Sequence, residues 1–359
     1  MQYTRLGNTG LIISRLSFGV MTFGQGQGTM ASVSKTDEKS ATEMIHRAMD
    51  AGINFFDSAD AYASGQSETI LGRALGARRR DVIISTKVGF RSGEAITHTG
   101  ASYAYLLAAA EACLRRLGTD YLDLLSIHKP DPYTPFEETL RALDNLVQRG
   151  LVRYVGYSNF SAWQAAKCAG IQQRLGYAPF VTAQMYYSLV GRDIEHEIVP
   201  FLVDAGIGLV VWSPLASGFL SGKYTRENPT GGGGRIAGFD FLPTDHERGY
   251  ALIDLMKKIA ASHHASVAQV ALGWLLAKPF VSTILLGASK MSQLVDNLGA
   301  GDLQLTTDEL GQLDSATAPT ALYPQWFQEK TLDAKLKEAS VMLSEGVCPS
   351  RNTPGQSDP

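Results

Sequence analysis

Cysteine is scarce in this chain, with three in 359 residues, Cys113, Cys168 and Cys348, of which the nearest two are 55 positions apart (168 − 113). None forms a C-x-x-C pair or stands beside a histidine, so neither a disulfide framework nor a zinc site is expected, and a reducing compartment is. Long apolar runs are missing too; none approaches the ~20 residues that a membrane helix needs. The opening, Met1-Gln2-Tyr3-Thr4-Arg5-Leu6, has no basic stretch leading into an apolar one, as a secretory leader would have. The expectation is a soluble, cytoplasmic protein with no membrane partner. Blocks of like charge are also absent: 32 Lys and Arg are interspersed with 35 Asp and Glu, net charge −3, which argues against a nucleic-acid surface.

Hydrophobic residues make up 45% of the chain, and a chain of this length buries roughly 75% of its unfolded surface, so its core needs no covalent or metal staple. Short apolar, β-branched runs recur, each followed by a longer stretch of helical spacing. Eight begin near Arg15, Ile53, Asp81, Tyr121, Val152, Phe180, Ile207 and Val281. Several are apolar at nearly every position, as strands covered on both faces are. Helical stretches such as Thr42 to Ala51, Ala101 to Leu117, Thr134 to Gln148 and Ser161 to Leu175 separate them, and the stop glycines Gly52, Gly118 and Gly150 follow three of these. Eight strand–helix units in one chain predict an α/β fold, a (β/α)8 TIM barrel.

Residues 2 to 13 read as a β-hairpin turning at Gly7-Asn8-Thr9-Gly10, outside the eightfold pattern. The seventh unit is stretched from Ile207 to Val281 by a long loop with Gly231 to Gly234 and Pro243, which is either a flexible connection or a cofactor lid. It is followed by helices from about His246 to Ser262 and Val267 to Ala277. The expected organisation is a barrel over 1–318, a helical extension over 319–345 containing a helix from Lys330 to Ser344, and a disordered tail over 346–359.

In such a barrel the chemistry sits where strands end at one face. Strand two ends in Asp57 and is followed by Tyr62; strand three ends in Lys87; strand four ends in His128. Each has a plain alternative: a turn cap, a rim aromatic, a solvated strand end, a core histidine. Together they bring an acid, its tuner and an orienting donor to adjacent strands. A phenol with an ordinary pKa near 10 is a poor proton donor at neutral pH. A nearby Lys87 ammonium favours its ionised form, and Asp57 keeps that lysine charged and in place. His128 and Tyr62 would then surround a substrate oxygen. None of these groups carries hydride, so a cofactor is required.

The run Gly52-Ile53-Asn54-Phe55-Phe56-Asp57-Ser58-Ala59-Asp60-Ala61-Tyr62, with Ser85-Thr86-Lys87 and Ile127-His128-Lys129-Pro130-Asp131, resembles the aldo-keto reductase superfamily. Trp212 to Gly218, Gly222-Lys223-Tyr224, Leu285 to Ser289, Gln293 and Asp296 to Gly299 are similar to the branch that contains the voltage-gated potassium channel β subunits and their bacterial relatives. The resemblance covers roughly residues 2 to 318. It implies a barrel with an N-terminal hairpin, NADPH/NADP+ lying across the barrel mouth, and reduction of ketones or aldehydes.

Position by position it implies Tyr62 as general acid, Lys87 and Asp57 as its tuners, and His128 as the residue that orients the carbonyl. It implies Ser158, Asn159 and Gln184 around the carboxamide, Trp212 on the nicotinamide, and Gly19 and Met21 at the same end. Ser213, Leu215, Ser217, Gly218, Lys223 and Arg235 would line the pyrophosphate, and Gly287, Ser289, Lys290, Gln293, Asp296 and Asn297 the adenosine end. Ser289 and Lys290 precede a helix, whose amides and dipole favour an anion; a 2′-phosphate there favours NADPH over NADH. Apolar substrate walls are expected from Phe23, Phe90, Tyr187 and Phe219, with Met21. The family's pattern departs at Tyr186-Tyr187, where many members have an acidic residue or proline.

Three motifs are set aside. Gly24-Gln25-Gly26-Gln27-Gly28-Thr29 resembles a dinucleotide fingerprint but opens no helix, and reads as a flexible loop. Gly218 to Lys223 is one residue short of a P-loop. His263-His264 has no third ligand nearby and reads as a solvated helix end, so no metal is expected. The alternatives to carbonyl reduction are a cofactor-sensing channel subunit, against which His128 weighs because the channel subunits carry asparagine there, and alcohol oxidation. The substrate is left open, as is a homo-oligomer.

Overall fold

The computed structural model describes residues 1–232, 236, 238, 241–333 and 335. Ten strands occur in chain order among them: β1 (Tyr3–Arg5), β2 (Ile12–Ser14), β3 (Leu16–Gly19), β4 (Phe55–Asp57), β5 (Ile83–Val88), β6 (Leu122–Ile127), β7 (Val152–Ser158), β8 (Phe180–Tyr186), β9 (Gly208–Trp212) and β10 (Val281–Gly287). The helices are α1 (Glu38–Asp50), α2 (Gln66–Leu75), α3 (Tyr103–Leu117), α4 (Phe136–Gln148), α5 (Ala162–Leu175), α6 (Ile198–Ala205), α7 (His246–Ser262), α8 (Val267–Leu276), α9 (Met291–Leu298), α10 (Thr307–Ala316) and α11 (Gln325–Thr331). Strands β3 to β10 pair in parallel and close into an eight-stranded barrel, β10 returning to β3. This is the (β/α)8 fold that the recurring apolar runs predict. Met1–Ala318 is one compact unit and the chain from Pro319 another. Helix α11 starts five residues ahead of the expected Lys330–Ser344 helix and ends at Thr331, and most of that expected helix falls outside the described residues.

Alternation along the strands decides what lines the lumen. Phe55, Ile83, Leu124, Val210 and Leu285 form one buried apolar cluster with Leu6 and Ile13 of the hairpin. The neighbours of opposite parity, Phe56, Ile84, Leu125, Leu209 and Leu286, belong to the larger core under the helices. Two residues further along the inward set come Asp57, Ser85 with Lys87, Ser126 with His128, and Trp212. The charged and polar groups therefore sit directly above an apolar plug.

The β1–β2 hairpin seals the opposite end. Gly7 has φ +54° and packs so closely that a Cβ there would lie 2.7 Å from both the Gly208 nitrogen and the Val181 oxygen. The Asn8 amide donates to the Gly206 carbonyl at 2.8 Å. Gly7→Ala combines a left-handed backbone with this clash and should cost about 2 kcal/mol, read as a lower urea midpoint with an unchanged slope.

Candidate active site

Asp57 and Lys87 are both buried, and Lys87 Nζ donates to Asp57 Oδ2 at 2.5 Å and to the Ser58 carbonyl at 2.5 Å. The other carboxylate oxygen accepts from Ser85 Oγ at 2.9 Å and from Gln184 Nε2 at 2.9 Å. Both carboxylate oxygens are thus hydrogen-bonded, as a buried ion pair requires. Burial works against the ammonium, but Asp57 and, after it, Tyr62 outweigh that and hold Lys87 above its ordinary value. Lys87 stays a cation.

Tyr62 is half-buried, and its ring lies 5.0 Å from Lys87 Nζ. His128 meets the Tyr62 ring edge-on at 5.9 Å and the Phe90 ring at 4.5 Å. Its Nδ1 is out of water and has no partner. Burial, then the positive charges of Lys87 and Lys129, hold the imidazole well below the usual histidine range, so it is neutral. An N–H without an acceptor costs more than an idle lone pair, so the ring proton belongs on Nε2.

A chain of hydrogen bonds extends from this group. Asn159 Nδ2 donates to the His128 carbonyl at 3.0 Å and to Ser158 Oγ at 2.9 Å, Ser158 Oγ donates to the Gln184 carbonyl at 2.7 Å, and Trp212 Nε1 donates to Asn159 Oδ1 at 3.2 Å. Tyr186 lies against Trp212, ring centres 5.2 Å apart. Backbone strain gathers at the same face. Seven non-glycine residues among those described have left-handed backbone, and six of them, Ala63, Ser64, Asn159, Ser213, Ala216 and Ser217, follow β4, β7 and β9. Such conformations are held by their surroundings, and their clustering marks a functional face.

From Ser213, the residue after Trp212, a cleft of about 560 Å³ runs outward. Ser213, Leu215, Ser217, Gly218 and Lys223 form one wall, and Gly287, Ser289, Lys290, Gln293, Asp296 and Asn297 another. Helix α9 opens into it with no side-chain cap and no acidic residue in its first turn. Asp296 is turned away, its carboxylate accepting from Ser266 Oγ and Gln269 Nε2. Gly19 is level with Gly287 on one side and Asp57 on the other, joining the cleft to the buried ion pair, and Met21 is in the turn that follows.

Sequence reasoning missed the third wall, Thr22, Ser32, Val33 and Lys35. It flanks the Gly24 to Thr29 segment read as a flexible loop, which is folded back: the Gly24 amide bonds the Thr36 carbonyl, the Gly26 amide the Ser34 carbonyl, and the Lys35 and Thr36 amides the Thr22 carbonyl. Only the glycine spacing signalled a turn there; nothing local pointed Lys35 at the cleft.

Three expected substrate walls are elsewhere. Phe23 is fully buried against Phe18. Tyr187 is fully buried against Trp274 and Phe280 with its hydroxyl on Glu195, because its parity is that of outward-facing Met185. Phe219 is buried among Tyr224, His246 and Tyr250, carried under α7 by the turn at Ser217 and Gly218. Phe90 alone of the four stands at the mouth, against His128 and half exposed. Arg235 lies outside the described residues. His263 is not a solvated helix end: its Nε2 pairs with the Glu309 carboxylate at 2.9 Å.

A strand-borne carboxylate and ammonium, a phenol and a neutral imidazole gather at the mouth of a parallel barrel beside a long cleft, an arrangement that agrees with the aldo/keto reductase family. The chain belongs to that family, whose model matches residues 15–318, and is an NAD(P)H-dependent oxidoreductase. Among its relatives are a probable voltage-gated potassium channel subunit beta of Oryza sativa subsp. japonica, 37% identical over 86% of this chain and 94% of that one, and versiconal hemiacetal acetate reductase of Aspergillus parasiticus, 32% identical over 90% and 99%. The uncharacterized oxidoreductase YrpG of Bacillus subtilis is 34% identical over 88% of this chain and 95% of its own. No described helix is long and apolar enough to cross a membrane.

Proposed function

We propose that the chain reduces a ketone or aldehyde to an alcohol with NADPH, Tyr62 giving the proton. The carrying observation is the approach of the Tyr62 ring to within 5.0 Å of an ammonium that Asp57 keeps charged inside the barrel. Bound NADPH supplies hydride to the carbonyl carbon. As charge builds on the carbonyl oxygen, Tyr62 releases its proton to it and Lys87 stabilises the phenolate left behind. His128, neutral and with its proton on Nε2, orients that oxygen without competing to protonate it. Phe90 and the Tyr62 ring keep water from the pair. In the reverse direction the phenolate takes the alcohol's proton.

The cleft's residues fit the cofactor. Lys35, Lys223 and Lys290 surround it with positive charge, and the uncapped start of α9 offers amides to a phosphate. Trp212, backed by Tyr186, presents a face for the nicotinamide, and Gln184, its nitrogen committed to Asp57, keeps its amide oxygen for the carboxamide. Lys290 beside Ser289 is the proposed 2′-phosphate contact. Lys290→Glu should raise the KM for NADPH about tenfold, a loss of roughly 1.4 kcal/mol, and leave that for NADH nearly unchanged; equal losses for both would remove Lys290 from this role.

The whole reading is tested by following NADPH consumption with nitrobenzaldehyde and with aliphatic ketones. Turnover that requires both partners supports it, and none with any carbonyl compound sinks it. The likeness to probable channel β subunits supports a second reading, a cofactor-sensing subunit, for which stable co-purification with a membrane protein without turnover would be the evidence.

A further inference from the structure

Asp60 leaves β4 three residues after Asp57 and two before Tyr62, and no role above uses it. It is 5% exposed, and both carboxyl oxygens are shut off from water without a hydrogen-bond partner of normal geometry. Its amide donates to the Lys87 carbonyl at 3.0 Å, fastening it to the residue that carries the site's ammonium.

The titratable groups that face it are Glu68 on α2, Arg116, Cys113 and Tyr105 on α3, and Lys87 on β5. The two cations among them are already committed. Arg116 Nε donates to Glu68 Oε2 at 2.6 Å, with Thr86 Oγ1 on the other Glu68 oxygen at 2.5 Å, and Lys87 is held by Asp57. Cys113 is pushed well above its usual range by burial and then by Glu68, and Tyr105 is raised by burial while donating to the Phe90 carbonyl, so both are neutral. Two carboxyl groups thus compete for one guanidinium, and the geometry gives it to Glu68. Burial first, and repulsion by Glu68 second, push Asp60 up to about 7, with the Arg116 charge, then the Ala61 amide and Lys87, offsetting only part.

Resting on the reading of Tyr62 as proton donor, we propose that Asp60 is a positioning residue acting on Tyr62 through the Lys87 ammonium: the charge on its buried carboxyl sets how readily the phenol releases its proton. The sign follows from Coulomb's law. Neutral Asp60 adds no second anion to the Asp57 carboxylate already on Lys87, which favours the phenolate. Ionised Asp60 adds negative charge that is felt at that ammonium and disfavours a further anion beside it. As pH rises through neutrality the wild type therefore keeps Tyr62 protonated further than it otherwise would, extending the range over which the phenol can act as an acid. A buried charge coupled to a neighbouring group in a partly dry site moves that group's midpoint by about one pH unit.

The test reads Tyr62 directly. Ultraviolet difference titration of the full chain against its Tyr62→Phe counterpart isolates that one phenol, without any turnover. In an Asp60→Asn background its midpoint should fall by about one unit, and the pH profile of alcohol oxidation with NADP+, which needs the phenolate, should move to lower pH by the same amount. Should Asp60→Asn not fold, Asp60→Ser supplies a neutral side chain of smaller size. A phenol midpoint unchanged by either variant overturns the proposal, whatever happens to thermal stability. A shifted midpoint in a protein with no carbonyl turnover upholds the linkage and instead sinks the reading of the function.

Discussion

Tyr62→Phe is expected to lower kcat for carbonyl reduction by about 10²- to 10⁴-fold, the range that a positioned general acid contributes, while the affinity for NADPH and the unfolding midpoint stay close to wild type. The ring carries the contacts that hold the region together: it lies 5.0 Å from the Lys87 ammonium and meets His128 at 5.9 Å. Phenylalanine keeps both and removes the hydroxyl. What is lost is the single proton placed against the carbonyl oxygen. The distinguishing measurement is single-turnover consumption of bound NADPH, which separates chemistry from product release. A loss confined to KM would mean that Tyr62 only binds substrate.

Asp57→Asn should be costly to the fold as well as to the chemistry. The Asp57 carboxylate accepts from three side chains, Lys87, Ser85 and Gln184. An amide in its place must turn its NH2 either toward the ammonium or toward Ser85 and Gln184, so donors face donors. With the ammonium left without a counter-charge above the apolar plug, the expected destabilisation is about 3–5 kcal/mol.

The pH dependence carries the signature. In the wild type Lys87 is raised, so its contribution is complete below the unfolded lysine value and is lost only as pH rises through the folded one. In Asp57→Asn, burial without a carboxylate pushes the folded value below the unfolded ~10.4, so the unfolded chain binds more protons in that window and stability rises with pH there. Thermal unfolding across the alkaline range checks this; parallel curves for the two proteins would show that Asp57 does not hold the ammonium.

The barrel was legible because its strands are short, apolar on both faces and separated by helices of regular period. The same alternation that puts Phe55 and Ile83 in the lumen carries Asp57 and Lys87 above them. Where parity was overlooked, the sequence misled: Tyr186 shares the phase of Gln184 and reaches Trp212, whereas Tyr187 has the opposite phase and is buried behind the strand. Phe219 follows residues whose left-handed backbone redirects the chain, which side-chain chemistry does not announce. Lys35 reaches the cleft through a fold-back between Thr22 and Thr36, and Gly7 meets Gly208 across some two hundred residues; such long-range contacts leave no local trace. Asp60 looked like one more acid in a family motif. Only the capture of Arg116 by Glu68 makes it exceptional.

The convergence of phenol, ammonium, carboxylate and imidazole on one reacting oxygen is tested most directly by a crystal structure with NADP+ and a carbonyl compound bound. The account predicts that the carbonyl oxygen lies within hydrogen-bond reach, about 3 Å, of both the Tyr62 hydroxyl and His128 Nε2, with the nicotinamide against Trp212. A carbonyl oxygen held away from Tyr62, or a nicotinamide seated elsewhere than beside Trp212, would contradict it.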